Sequence, residues 1–306
     1  MLGIDHLGIV VDNIHSAMEF WQEVFNFKLA WREQPTDVDG APLGLPGEAV
    51  RIEGAILAAP GRPLTGRRPV YLELHQYHRP TGVGERRPCD TGFNHLCLHH
   101  PNPAREHARL RSLGVRVFGE PRPQADGPSW FWFEEPNSRV PVGIRNLAHP
   151  LTARDAVALA HPGLVVPDLE KALRWYRGMF GWAVVAREPA TDIPLDAFGM
   201  GEPTRLKGVT MDTGSGHFEL IEFLSPHTAG KRRTCDIGQG HVAVFAERIE
   251  EEYARLKRAG MHFFGVPTRI THGGLAGTTW VYGTDPYGNI VELTNHPSPL
   301  YRRVQG

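Results

Sequence analysis

The sequence predicts an α+β chain of four βαβββ modules paired into two half-barrel domains, and a doubled internal repeat carries that prediction. "HLGIVVDNIHSAMEFWQEVFNF" from His6 and "HPGLVVPDLEKALRWYRGMFGW" from His161 are copies of one pattern. A second, different pair starts at Gly92 ("GFNHLCLHHPNPAREHARLRSLGVRVFGEP") and at Gly238 ("GQGHVAVFAERIEEEYARLKRAGMHFFGVP"). The spacing from His95 to Pro121 equals that from His241 to Pro267, with no gap.

Within each module the hydrophobic period switches once. "IDHLGIVV" is a short β-branched run that suits a buried strand. "NIHSAMEFWQEVF" then places Ile14, Met18, Trp21, Val24 and Phe25 near helical spacing after the start signal Asp12-Asn13. "KLAWRE", "AVRIEGAILAA" and "VYLELHQY" follow as three strand-like pieces separated by Pro- and Gly-rich turns, and "AVVARE", "RLKGVTMD" and "HFELIEFL" take their places in the third module. The second module offers "VRVFGE", "SWFWFEE" and "VPVGIRN"; the fourth offers "MHFFGV", "TTWVYGT" and "NIVELTN". The stretch "NLAHPLTARDAVALAHPG" lacks strand signals, which puts a domain boundary near Leu151, between an N-terminal domain of residues 1–150 and a C-terminal domain of residues 151–306.

Composition narrows the function classes. The chain has 306 residues, 41% hydrophobic and 22% charged, which is enough for two cores. A net charge of −1 supplies no field to draw in nucleic acid or an anionic membrane. Apolar runs are strand-sized and no signal-peptide pattern opens the chain, so a cytoplasmic protein with a small-molecule substrate is expected, as a monomer or homodimer. Cys89, Cys97 and Cys235 are too few and too irregular for a disulfide framework. Trp130, Trp132, Trp175 and Trp280 read as core or inter-module packing.

The chemistry collects on histidines and glutamates. A four-strand module cannot cover both faces of its sheet, so two modules pair into a cup whose inner-face side chains converge. In the C-terminal half, His161 and His241 begin first strands, while Glu219 in "HFELIEF" and Glu292 in "NIVELTN" are flanked by apolar neighbours on last strands. A lone histidine at a strand start is ordinarily structural; its recurrence is what points to an ion. Two neutral imidazoles and two carboxylates make a charge-neutral set for one divalent metal (Zn, Ni, Co, Mn or Fe), with two octahedral positions open to water or a substrate oxygen pair.

The βαβββ repeat, His161, His241, "FEL" at Glu219 and "DPYGNIVEL" ending at Glu292 resemble the vicinal oxygen chelate superfamily, which includes glyoxalase I, methylmalonyl-CoA epimerase, extradiol dioxygenases and bleomycin-resistance proteins. The resemblance spans nearly all of the chain. It implies a metal-dependent isomerase, epimerase or glyoxalase-type lyase that acts beside a carbonyl through a metal-stabilised enediolate, with Glu219 or Glu292 as base and a hydroxy-ketone, cyclitol or thioester-type substrate. Extradiol ring cleavage with Fe(II) is the rival, and His272 with Tyr282 ahead of "DPYGNIVE" resembles the acid and base of those dioxygenases. Drug sequestration without catalysis is the third reading. Arg205 and Lys207, opposite Arg51 and Glu53, are candidates to hold a polar or anionic part of the substrate.

The N-terminal half departs from the pattern. His6, Glu73 and His95 match, but aligning "EPNSRVPVGIRN" on "DPYGNIVELTN" from the shared proline puts Val142 where the C-terminal half has Glu292. A vestigial site is therefore expected there. The sequence leaves the pairing open: modules one with two and three with four, or one with four, which would gather His6, Glu73, His241 and Glu292 and leave His95 with His161 and Glu219.

Overall fold

Each module follows the order read from the sequence, with one short extra strand in the first (Thr36–Asp39) and one in the fourth (Thr268–Arg269). The first runs β1 (Ile4–Val10), α1 (Ile14–Glu19), a π-helical turn (Phe20–Val24), β2 (Lys28–Arg32), β3 (Thr36–Asp39), β4 (Ala49–Ala58) and β5 (Tyr71–Arg79). The second is β6 (Gly92–His99), α2 (Pro103–Ser112), β7 (Val117–Pro123), β8 (Ser129–Glu134) and β9 (Pro141–Arg145). The third is β10 (Ala158–Val165), α3 (Leu169–Phe180), β11 (Ala183–Ile193), β12 (Thr204–Asp212) and β13 (His217–Ser225). The fourth is β14 (Gly240–Phe245), α4 (Ile249–Arg258), β15 (His262–Phe263), β16 (Thr268–Arg269), β17 (Thr279–Thr284) and β18 (Ile290–Thr294). This computed structural model describes residues 2–61, 70–84, 86–123, 129–146, 157–227, 232–271 and 273–296; Leu151 and His272 lie outside them.

Helix starts follow capping chemistry. Asn13 accepts the Ser16 N–H and Asp168 accepts the Lys171 N–H, each satisfying a donor of the first turn. In α1 and its π turn, Ile14, Met18, Trp21 and Phe25 are buried as the periodicity predicts, while Val24 is half-buried. Each fully buried large apolar side chain, such as Phe27, contributes roughly 1.5–3 kcal/mol.

The two sheets do not follow the two halves of the chain. One sheet runs β15-β17-β18-β14-β1-β5-β4-β2 and joins the fourth module to the first; the other runs β11-β12-β13-β10-β6-β9-β8-β7 and joins the third to the second. The first strands make the joins. Each is parallel to its own module's last strand, β1 with β5 and β14 with β18 for example, and presents its other edge unpaired. Antiparallel pairs β1–β14 and β10–β6 close those edges across the halves.

Helices bind the halves the other way. Arg109 of α2 donates to the Val24 carbonyl at the end of the α1 segment (2.7 Å), and Arg255 of α4 donates to the Met179 carbonyl near the end of α3 (2.8 Å). Both place a guanidinium on a helix C-terminus, where the dipole favours it. Among the described residues, no helix is long and apolar enough to cross a membrane.

Candidate metal centre

The crossed pairing decides which side chains meet. His6 on β1, Glu73 on β5, His241 on β14 and Glu292 on β18 form one buried cluster with all four donor atoms within 4.8 Å of one another. The expected set of His161, Glu219, His241 and Glu292 does not assemble, because its members lie on different sheets. His161 and Glu219 instead meet His95 in a second, three-residue cluster.

Distances in the first cluster fit an ion. His6 Nε2 lies 3.1 Å from His241 Nε2 and 3.2 Å from both Glu73 Oε2 and Glu292 Oε2. His241 Nε2 lies 3.4 Å from Glu73 Oε2 and 3.2 Å from Glu292 Oε2. Donors held at about 2.1 Å from a dication are about 3.0 Å apart in an octahedron and about 3.4 Å apart in a tetrahedron, so the spacing matches. Burial opposes charge on His6, but Glu292 and Glu73 outweigh it and hold its pKa well above the usual imidazole range. Burial likewise opposes ionisation of Glu292, which His6 and His241 nevertheless hold down to about 2. Ion pairing alone is a poor account of this geometry, because two protonated Nε2 atoms would point N–H groups at each other across 3.1 Å. A cation between them would satisfy all four donors at once.

The imidazoles are held from behind. His6 Nδ1 lies 3.1 Å from Asp5 Oδ2, and His241 Nδ1 lies 3.3 Å from the Tyr282 hydroxyl. An N–H at Nδ1 in each ring leaves the Nε2 lone pair for the centre. Beside the cluster is a small cavity of about 10 Å³, room for about one water, whose wall includes His75, Tyr77, Gln239, His241 and Tyr282. His75 shares the β5 face of Glu73, sits 3.4 Å from it and is partly exposed.

The second cluster is poorer in donors and richer in aromatics. His95 Nε2 lies 3.1 Å from Glu219 Oε2 and His161 Nε2 lies 3.8 Å from it. His95 Nδ1 lies 2.7 Å from Asn94 Oδ1, and Nε2 is the ring atom that faces Glu219. Burial pushes the His161 pKa down to about 3, so this ring is neutral, while Glu219, opposed by burial, is held to about 2 chiefly by His95. Trp132 packs edge-on to His95 at 5.1 Å and Phe198 lies 5.4 Å from the same ring. Trp132 is thus a site residue as well as packing.

The missing carboxylate is replaced by Gly143 rather than Val142. Glu292 pairs with Tyr282 and Ala243, whereas Gly143 pairs with Trp132 and Cys97 in the equivalent ladder. The turn before β9 is one residue longer: Glu135 N–H bonds the Val140 carbonyl, but Asp285 N–H bonds the Asn289 carbonyl. One extra residue flips every later side chain to the other face, which sends Val142 into the core. A Cβ on Gly143 would lie 3.0 Å from the Trp132 ring, so the indole occupies the carboxylate's room.

Arg205 and Lys207 do not line either cluster. On β13, Glu219 pairs with Thr210, and by period two Lys207, which pairs with Glu222, is on the opposite face. Lys207 bonds Glu222 at 2.9 Å and Arg205 bonds exposed Asp192. Arg51 likewise reaches Asp37 on the surface, and Glu53 is buried against His78. The sequence reading passed over Asp5, His75 and Gln239, and gave Trp132 a packing role alone. Their signal is a broken repeat: the partners of Asp5, His75 and Gln239 in the sister modules are Ala160, Ile221 and Phe93.

Comparisons with known proteins agree with this architecture. Residues 158–293 and residues 5–131 each match a family model described as the glyoxalase/bleomycin resistance protein/dioxygenase superfamily. A 2-epi-5-epi-valiolone epimerase from Actinomyces sp is 30% identical over 156 residues, covering 47% of this chain and 81% of that protein. Glyoxalase I from Zea mays superposes with a TM-score of 0.69 at 16% identity, covering 100% of this chain and 96% of that one. A putative dioxygenase from Bacillus subtilis gives 0.59 at 14% identity over 98% of this chain and 87% of that one. Two family matches that together span both sheets, and a relative aligned over most of its own length, place the assignment beyond fold likeness: this chain belongs to the glyoxalase/bleomycin resistance protein/dioxygenase superfamily.

Proposed function

We propose that the chain is a divalent-metal-dependent isomerase or epimerase acting at a carbon next to a carbonyl, with His6, Glu73, His241 and Glu292 as the ligands of one ion. The observation that carries this reading is the convergence of those four donor atoms, at 3.1–3.4 Å in five of their pairings. An ion held there supplies Lewis acidity that polarises a substrate carbonyl and acidifies the neighbouring C–H. Glu73 and Glu292 are the bases at hand, both kept ionised by the imidazoles around them in spite of burial. His75, in contact with Glu73 and partly open to solvent, is placed to exchange the abstracted proton with water. The kinship with the actinomycete epimerase favours a polyhydroxylated cyclic ketone as substrate.

Deuterium exchange tests the reading. Incubated in D2O with 2-epi-5-epi-valiolone and Mn, Co, Ni or Zn, the protein should place deuterium on the carbon beside the carbonyl, and a chelator should stop it. Ring cleavage is the weaker alternative, since the two-His, one-Glu set it resembles lies at the second cluster under Trp132 and Phe198. Oxygen uptake with a catechol and no exchange into the ketone would overturn the proposal.

A further inference from the structure

Behind His6 lies a buried carboxylate, Asp5, where the sister cluster has Ala160 before His161 and the amide of Asn94 beside His95. Asp5 is fully buried, and its Oδ2 lies 3.1 Å from His6 Nδ1 and 2.8 Å from His296 Nδ1. His296 stacks on His6 with ring centroids 5.1 Å apart and planes 23° apart. Neighbours in a regular strand point to opposite faces, so an aspartate does not ordinarily reach the ring of the next residue. The β1–β14 register shifts between Ile4 and His6, and this bulge at Asp5 re-aims its side chain toward the His6 ring. The other sheet carries the same irregularity between Leu159 and His161, but the residue in it is Ala160, which offers no acceptor. The bulge is therefore a property of the repeat, and the carboxylate placed in it belongs to one site.

We propose that Asp5 and His296 are positioning residues that lock His6 in the Nδ1–H tautomer with Nε2 aimed at the ion, so that the first cluster takes metal in preference to the second. This rests on the reading of His6, Glu73, His241 and Glu292 as metal ligands. A carboxylate behind a ligating histidine fixes ring orientation and raises ligand basicity, and its loss costs roughly 10–100-fold in affinity. His296 supplies a second donor to the same oxygen and a ring face against His6, so it restrains Asp5 and His6 together.

The test is cobalt(II) binding, followed by chelator competition and by the visible absorption of the bound ion, in the full chain and in Asp5→Asn and His296→Phe variants. Thermal unfolding of each metal-free protein controls for folding. Asp5→Asn puts an amide in place of the shared acceptor; it should weaken cobalt binding about 10–100-fold and alter the spectrum. His296→Phe keeps the stacked ring and removes its donor, so it should weaken binding less and remains informative if Asp5→Asn fails to fold. Unchanged affinity and spectrum in both variants would overturn the inference while leaving the metal centre intact. Uptake of two ions, one of them lost in either variant, would overturn it in favour of a separate ion at Asp5, His6 and His296. No cobalt uptake by the unaltered chain would overturn the metal centre itself.

Discussion

Gly8 lies directly opposite His241 across the β1–β14 pair, and a Cβ on Gly8 would fall 1.9 Å from the imidazole Cε1. Gly163 stands in the same relation to His95, at 2.1 Å. The glycine two residues after each of His6 and His161 is thus the space in which the partner module's histidine lies. Gly8→Ala should displace His241, destabilise the fold by about 1–3 kcal/mol through overpacking and abolish high-affinity metal uptake. Gly163→Ala should cost similar stability and spare uptake, as unfolding and metal titration of the two variants would reveal.

Removing one carboxylate from the first cluster should be decisive. Glu292→Gln leaves a neutral amide among two imidazoles and one carboxylate, and metal affinity should fall at least 100-fold with loss of solvent deuterium exchange. Glu219→Gln, in the second cluster, should change exchange by less than about threefold. Equal losses in the two variants would mean that both clusters serve the reaction.

The slipped turn before β9 makes a constructive prediction. Val142→Glu should not create a metal site, because this side chain is in the core, and burying a carboxylate there should destabilise the protein by several kcal/mol. Trp132→Tyr with Gly143→Glu copies the Tyr282 and Glu292 pair instead, removing the indole that fills the space. That double variant should bind a second equivalent of metal, countable by elemental analysis.

Burial raises the thiol pKa of all three cysteines, and carries Cys97 up to about 12 from the ordinary 9.0. The thiolate is the reactive form, so near pH 8 the Cys97 thiolate fraction should be about a thousandfold below that of a free thiol. Native protein should therefore resist iodoacetamide, and Cys97 should react at full rate only after denaturation. Mass spectrometry of the alkylated peptides reads this directly.

Much of this was legible in the sequence because a repeat reports on itself. The copies at His6 and His161, and at His95 and His241, fixed the modules, the strand-initial histidines and the inward glutamates without reference to coordinates. Pairing was not legible, because each first strand presents the same kind of free edge, and the His-x-Gly modules can accept the histidine of either partner. Nor was the identity of Gly143, since a proline-anchored alignment cannot sense one extra residue in a turn. The strongest missed signal lay in what the repeat failed to repeat: Asp5, His75 and Tyr77 in the first module against Ala160, Ile221 and Phe223 in the third. Polar residues in one copy and apolar ones in the other mark the module whose strands surround the four-residue cluster.

The most direct test of the account is anomalous diffraction from crystals grown with manganese or zinc, collected at the metal's absorption edge. One strong peak is expected, bounded by His6, Glu73, His241 and Glu292. A peak confined to His95, His161 and Glu219, or the four side chains turned away from a common point, would contradict it.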